Sequence, residues 1–209
     1  MRGMKNEERE EVPEFVKTQR HLPHWRKEGV VYWITYRLAD SIPYGELREW
    51  QGEREIWIAS HPEPWGAAEW HEYETLFGER LDAWLDAGIG SCALAKPEVR
   101  EVVRESLMYF DGERLWLHAA VIMPTHVHCL IELFEGFELS RVLKSVKGVS
   151  ARRANLLLGK SGQFWMEESY DHVVRSEAQY WHFVKYIRAN PVKAGLAADA
   201  YWLYVAHDG

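Results

Sequence analysis

Two histidines, His126 and His128, stand one residue apart in the apolar run MPTHVHCLIEL (123–133). In a strand, side chains at i and i+2 leave the same face, so the two imidazoles project side by side. Neutral imidazoles so placed form a two-point grip for a metal ion. The same spacing also suits two histidines packed on a half-exposed strand face, and spacing does not separate the two readings. Two ligands leave a coordination shell incomplete. About sixty residues on, the segment YIRAN sets Tyr186 and Asn190 four apart, one helical turn from each other on a single face. Asn190 can bring a carbonyl oxygen to a metal, with a phenolic oxygen beside it. Ring packing of Tyr186 and a helix end before Pro191 account for the pair equally well.

Charge is distributed unevenly around these residues. The 209-residue chain has a formal net charge of −7, which argues against uniform wrapping of nucleic acid. Residues 46–91 hold three Arg or Lys against eleven Asp or Glu, whereas residues 141–160 hold six Lys or Arg and no acid. That basic stretch, RVLKSVKGVSARRANLLLGK, is the footprint expected of a backbone-binding helix, although a solvated face with no partner has the same composition. Eleven tryptophans are many for this length. They suit amphipathic packing, or stacking surfaces for bases. Two cysteines, Cys92 and Cys129, have no metal-like spacing and imply a reducing, cytoplasmic setting. The charged N-terminus lacks an apolar signal core, and no apolar run is long enough to span a membrane.

The elements that must position these residues follow from pattern. Residues 1–28 are polar and read as a flexible arm, leaving 29–209 as one domain. The stretch 30–38, VVYWITYRL, reads as a strand. Two helical patterns follow, the first with Asp40 or Ser41 as its cap, and together they make a helical insertion over about 41–88. In the second, Trp70, Tyr73, Leu76, Phe77, Leu81 and Trp84 recur at helical spacing as a core-facing stripe. A helix over 96–112 has Pro97 in its first turn. Strands over 114–123 and 126–133 come next, then a long helix stopped by Gly159. After a short extended segment (164–174), a helix capped by Ser176 runs to Asn190, where the following proline ends it. This order predicts an α+β fold, an antiparallel sheet with helices packed on it.

Read together, VIMPTHVHCLIEL, SRVLKSVKGVSARRANLLLG, GQFWMEESYDHVVRSEAQYWHFVKYIRANPVKAGL and VVYWITYRLADSIP resemble the REP-associated tyrosine transposases, part of the HUH class of single-strand DNA transposases. The resemblance spans roughly residues 20–200 in order. It implies a ferredoxin-like HUH fold, with His126 and His128 as the metal-binding pair, Tyr186 as the nucleophile and Asn190 as third ligand. It also implies a Mg²⁺ or Mn²⁺ cofactor and single-stranded hairpin DNA as partner, cleaved and rejoined through a 5′-phosphotyrosine. Two features depart from the family: Thr125 stands where Asn is common, and the chain is unusually acidic. A homodimer, with the site built within one chain or between two, is compatible with this reading.

DNA-binding candidates are Lys144, Lys147, Arg152 and Arg153 on the basic helix, with Arg175, Arg188 and Lys193 extending the strip towards the tyrosine. Tyr170 is a second, weaker candidate nucleophile. His118 reads as structural, and His182, one turn before Tyr186, as a contact for DNA or the phenol. Two other functions compete: a domesticated DNA- or RNA-binding protein of the same fold, and a metal hydrolase that forms no covalent intermediate.

Overall fold

The computed structural model describes residues 29–62 and 65–206; the expected N-terminal arm lies outside them. Five strands form one antiparallel sheet in the order β4-β1-β3-β2-β5. These are β1 (Gly29–Arg37), β2 (Leu115–Ile122), β3 (His126–Phe134), β4 (Tyr170–Val173) and β5 (Trp202–Val205). The fold is α+β, as the element order predicts. The strand β5 was not anticipated: its four residues are too short a run to stand out, and it exists by pairing with β2 from Ala119 to Ile122.

Alternation along β3 sorts the helices onto two faces. Val127, Cys129, Ile131 and Leu133 point to one side, into a core closed by α4 (Pro97–Met108) and α5 (Leu139–Leu158) through Val99, Val103, Leu107, Val142, Leu143 and Val146. Each fully buried aliphatic side chain there contributes about 1.5–3 kcal/mol. His126, His128, Leu130 and Glu132 point to the other side. That face is covered by α6 (Glu177–Lys193) through Tyr180, Phe183, Val184 and Ile187.

Several terminators act as expected. Pro97 opens α4, the Ser176 hydroxyl accepts from the Gln179 amide to cap α6, and Gly159 ends α5 with φ of 61°. Two expectations about helix ends need correction. Pro191 does not end α6, which runs to Lys193 with the proline buried inside it. The turn is then closed by Ala194 N–H to Asn190 O and Leu196 N–H to Pro191 O. Neither Asp40 nor Ser41 caps α1 (Tyr44–Ser60), which starts after Pro43 without a side-chain cap. Instead Asp40 Oδ2 accepts from the Ser91 amide at 2.9 Å, and the Ser41 hydroxyl donates to Leu38 O.

The helical segment between β1 and the 3₁₀ turn at Ala93–Ala95 has a small core of its own: Ile42, Leu47, Trp50, Trp57, Phe77, Leu81 and Leu85. Its second half is not one helix. α2 (Ala67–Tyr73) passes through a π-helical turn (Glu74–Gly78) into α3 (Glu79–Asp86). Of the expected stripe, Phe77 and Leu81 are buried and Leu76 is exposed. The segment's two ends meet at Gly90, where φ is +92° and a Cβ would lie 2.3 Å from Asp40 O. Only glycine fits that approach.

Candidate active site

β3 delivers both imidazoles to the face beneath α6. Their rings lie 4.5 Å apart, and both side chains are wholly buried. A hydroxyl orients each ring. Thr125 Oγ1 donates to Leu85 O at 2.9 Å, which commits its proton. The 2.9 Å contact between that oxygen and His126 Nδ1 then requires the proton on Nδ1, leaving the Nε2 lone pair free. On β1, directly opposite His128, Thr35 Oγ1 makes the equivalent contact with His128 Nδ1 at 2.7 Å. Trp33 stacks between His128 (5.0 Å) and Phe183 (4.5 Å), and its edge meets the Tyr186 ring. The hydroxyl of Thr125 thus ties His126 to the end of α3.

The α6 backbone places Tyr186 over the histidines and Asn190 one turn further on. Tyr186 is half-buried, its ring 5.4 Å from that of His128. Asn190 Nδ2 donates to the Tyr186 oxygen at 3.0 Å. The phenol in turn donates to Asp82 Oδ2, and Asp82 Oδ1 lies 3.6 Å from His128 Nε2. A continuous set of contacts thus runs Asn190–Tyr186–Asp82–His128–His126, linking groups 104 residues apart between Tyr186 and Asp82.

Three buried polar atoms in this set have no hydrogen-bond partner: His126 Nε2, His128 Nε2 and Asn190 Oδ1. Burial of an unsatisfied acceptor is costly, and in native structures such an atom calls for an explanation in strain, catalysis or a bound water or ion. All three are lone-pair donors of the kind a divalent cation takes, with the second nitrogen of each imidazole held in place by a hydroxyl. The residues fit a mixed nitrogen and oxygen cation site. Among the described residues, no three His, Cys, Asp or Glu side chains form a metal cluster by themselves. A cation held here would need an amide oxygen and further oxygens from outside the chain to complete its shell.

The electrostatics follow from burial and crowding. Burial pushes His126 down to about 3, and burial together with His126 holds His128 well below the usual imidazole range, so both are neutral, as ligands must be. Burial pushes Asp82 up to about 7, against the Tyr186 hydrogen bond and aided by Asp86. Glu74 is likewise pushed up to about 7 by burial and by Asp82. Burial first, then the charges of Asp82, Asp86 and Glu74, drive the Tyr186 phenol far above its ordinary value. Lys193 is the cation that offsets the three carboxyls.

The remaining candidates divide. Arg175, Arg188 and Lys193 lie on or beside α6 and are exposed. Lys144, Arg152 and Arg153 are exposed on α5, behind the sheet, so the two groups do not form one continuous strip. Lys147 donates to Glu167 O and Ser169 Oγ, and Arg153 pairs with Glu105 at 2.6 Å. Tyr170 packs edge-on against Trp50, outside the histidine pair. His118 is buried between Glu132 Oε2 (3.2 Å) and the Tyr180 phenol (3.1 Å), a structural network. His182 is exposed. Sequence reasoning missed Asp82, Thr35 and Trp33 as site residues. The composition of 46–91 signalled only surplus acid, and a strand's facing partner is invisible before its register is known.

Comparison with known proteins adds a resemblance over part of the chain. Residues 94–190 match the model of the family described as "Transposase IS200 like". A curated relative, the "REP-associated tyrosine transposase" of Escherichia coli (strain K12), is 31% identical over 97 residues, covering 46% of this chain and 56% of that protein. The match thus spans about half the length of the relative. A solved structure of a REP-associated tyrosine transposase bound to a REP hairpin aligns over 85% of this chain and 75% of that one, at 17% identity and a TM-score of 0.43. His126, His128, Tyr186 and Asn190 fall inside the matched residues, while Asp82, Trp33 and Thr35 fall outside them. Over residues 94–190, a little under half of its length, the chain is similar to the IS200-like transposases.

Proposed function

We infer that the chain is a metal-dependent tyrosine transposase that cuts and rejoins single-stranded DNA, with REP-type hairpins as the expected substrate. The observation that carries this reading is the convergence of a tyrosine hydroxyl with three unpartnered buried lone-pair atoms, on His126, His128 and Asn190. A simple packing role leaves those three atoms unexplained.

His126, His128 and Asn190 would hold Mg²⁺ or Mn²⁺. A bound divalent cation supplies Lewis-acid neutralisation of charge on the scissile phosphate. The chain's own residues do the rest. Thr125 and Thr35 fix the imidazole orientations, and Trp33 walls the site with an apolar face that restricts water. Tyr186 Oη attacks phosphorus. As the Oη–P bond forms the phenolic proton is released, the P–O3′ bond breaks, and O3′ takes up a proton to leave as a 3′-hydroxyl. The 5′-phosphotyrosine conserves the phosphodiester energy, so attack by another 3′-hydroxyl rejoins strands without ATP.

Exposed cations on α5 bind backbone phosphates; Lys144 and Lys147 line a groove of about 620 Å³ against residues 162–169. Arg175, Arg188 and Lys193 serve the same purpose on the tyrosine's side. The described residues act as one catalytic domain that carries a helical insertion. No helix among them is long and apolar enough to cross a membrane.

The test is direct. Incubated with labelled hairpin DNA and Mn²⁺, the protein forms a covalent adduct that survives a denaturing gel, and Tyr186→Phe forms none. An adduct that persists in Tyr186→Phe refutes the choice of nucleophile. Cleavage without any adduct identifies a hydrolase, and binding without cleavage a domesticated binding protein.

A further inference from the structure

The geometry points to Asp82, on the helical insertion, as a positioning residue that fixes the direction from which the Tyr186 oxygen attacks. This rests on Tyr186 as the nucleophile in the reading above. It concerns a residue outside the stretch matched to the transposase family.

A phenol oxygen has one hydrogen to donate and two lone pairs. In Tyr186 the hydrogen goes to Asp82 Oδ2, and one lone pair accepts from Asn190 Nδ2 at 3.0 Å. With both directions fixed, a single lone pair is left to meet phosphorus. Without Asp82, the hydroxyl keeps only the Asn190 contact and turns freely about its C–O bond.

Asp82 is itself well held. It is 7% exposed, its second oxygen lies 3.6 Å from His128 Nε2, and the end of its helix is tied to His126 through Leu85 O and Thr125. The neighbouring α2 packs on the same helix as the tyrosine, with Trp70 edge-on to Phe183. The insertion therefore sets the nucleophile against both histidines rather than merely covering them. Such a role accounts for a carboxylate in a place where an incoming phosphate is also an anion. A charge-assisted acceptor holds the phenol about twice as firmly as a neutral one.

Asp82→Ala and Asp82→Asn separate orientation from other roles, because the Asn carboxamide oxygen still accepts from the phenol. Under single-turnover conditions with hairpin DNA and Mn²⁺, Asp82→Ala slows adduct formation by about 100-fold at unchanged hairpin Kd. Asp82→Asn stays within about fivefold of wild type. An Mn²⁺ titration followed by electron paramagnetic resonance gives the same affinity in all three proteins.

A proton NMR resonance downfield of the amides, from the Tyr186 hydroxyl, is present in wild type and Asp82→Asn and absent from Asp82→Ala and Tyr186→Phe. Asp82→Ala at or above the wild-type rate makes the carboxylate an obstruction and overturns the proposal. Asp82→Asn as slow as Asp82→Ala also overturns it, by making charge rather than direction the contribution. A loss of Mn²⁺ affinity overturns it in favour of a ligand role. Wild-type protein that shows the resonance but forms no adduct overturns the reaction while leaving the contact standing.

Discussion

Replacing Glu74 with glutamine should stabilise the protein above neutral pH and leave it unchanged in acid. Glu74 sits half-buried beside Asp82, and its carboxyl is pushed from an ordinary 4.5 to about 7, first by burial and then by the Asp82 charge. The sign is set by which state holds the proton. Between pH 4.5 and 7 the folded chain keeps Glu74 protonated while the unfolded chain releases it, so stability falls as pH rises through that window. Above it the penalty is complete. A move from 4.5 to about 7 corresponds to at most about 3 kcal/mol. Discounted for solvent screening of a half-buried group, the expected gain from Glu74→Gln at pH 8.5 is about 1–2 kcal/mol. For a chain of this size that is roughly 2–8 °C in Tm. Urea denaturation at pH 8.5 and pH 4 measures it, with the m-value unchanged. His126 contributes the opposite slope. It is held neutral down to about 3, so the folded state loses stability as pH falls below 6.5, but this background is common to both proteins and cancels in their difference. A gain of equal size at both pH values would falsify the burial argument, as would no gain at pH 8.5.

Other perturbations probe the site and its surroundings. Thr125→Val keeps shape but strips the hydroxyl shared by Leu85 O and His126 Nδ1. It should weaken Mn²⁺ binding by about 10- to 100-fold in calorimetry, and an unchanged affinity would show that His126 orients itself. Lys144→Ala or Arg152→Ala, each exposed on α5, should lower hairpin affinity similarly for all sequences and reduce the slope of log K against log salt by about 1. Arg153→Ala should do less, because Glu105 already pairs with that guanidinium; an equal effect contradicts the pairing. Ile187→Ala, beneath the tyrosine and wholly buried, should cost about 2–5 kcal/mol in urea melts, and a smaller loss means that α6 collapses onto the gap.

Much of this arrangement can be read from the chain because local rules and the tertiary fold agree. The alternation of His126, His128 and Leu130 against Val127, Cys129 and Ile131 predicts both the strand and its two faces. The four-residue step from Tyr186 to Asn190 predicts a shared helix face, and the two side chains are hydrogen-bonded. What escaped depends on long-range pairing. Thr35 and Trp33 join the site only because β1 and β3 pair with Thr35 opposite His128. Asp82 escaped for a different reason. Twelve residues of unbroken α-helix, at about 100° each, leave it about 120° away from Trp70. The π turn takes up one extra residue and rotates α3 back by about 100°, so that Trp70 and Asp82 both meet α6. Pro191 misled in the opposite direction, since a helix can carry a proline for one last turn where packing holds it.

That π turn gives the insertion a reserve of one residue. Losing one residue between Glu74 and Gly78 restores an ordinary α-helix whose eleven steps from Trp70 leave Asp82 about 20° away, still facing α6. A second loss has no π turn to absorb it and turns Asp82 away from Tyr186 by about 100°. Both histidines, the tyrosine and the asparagine would survive untouched in the sequence. A lineage could therefore lose one residue here and keep the Tyr186–Asp82 contact, but a second loss would uncouple the proposed nucleophile from the insertion, and a search for the histidine and tyrosine motifs would count both descendants as intact.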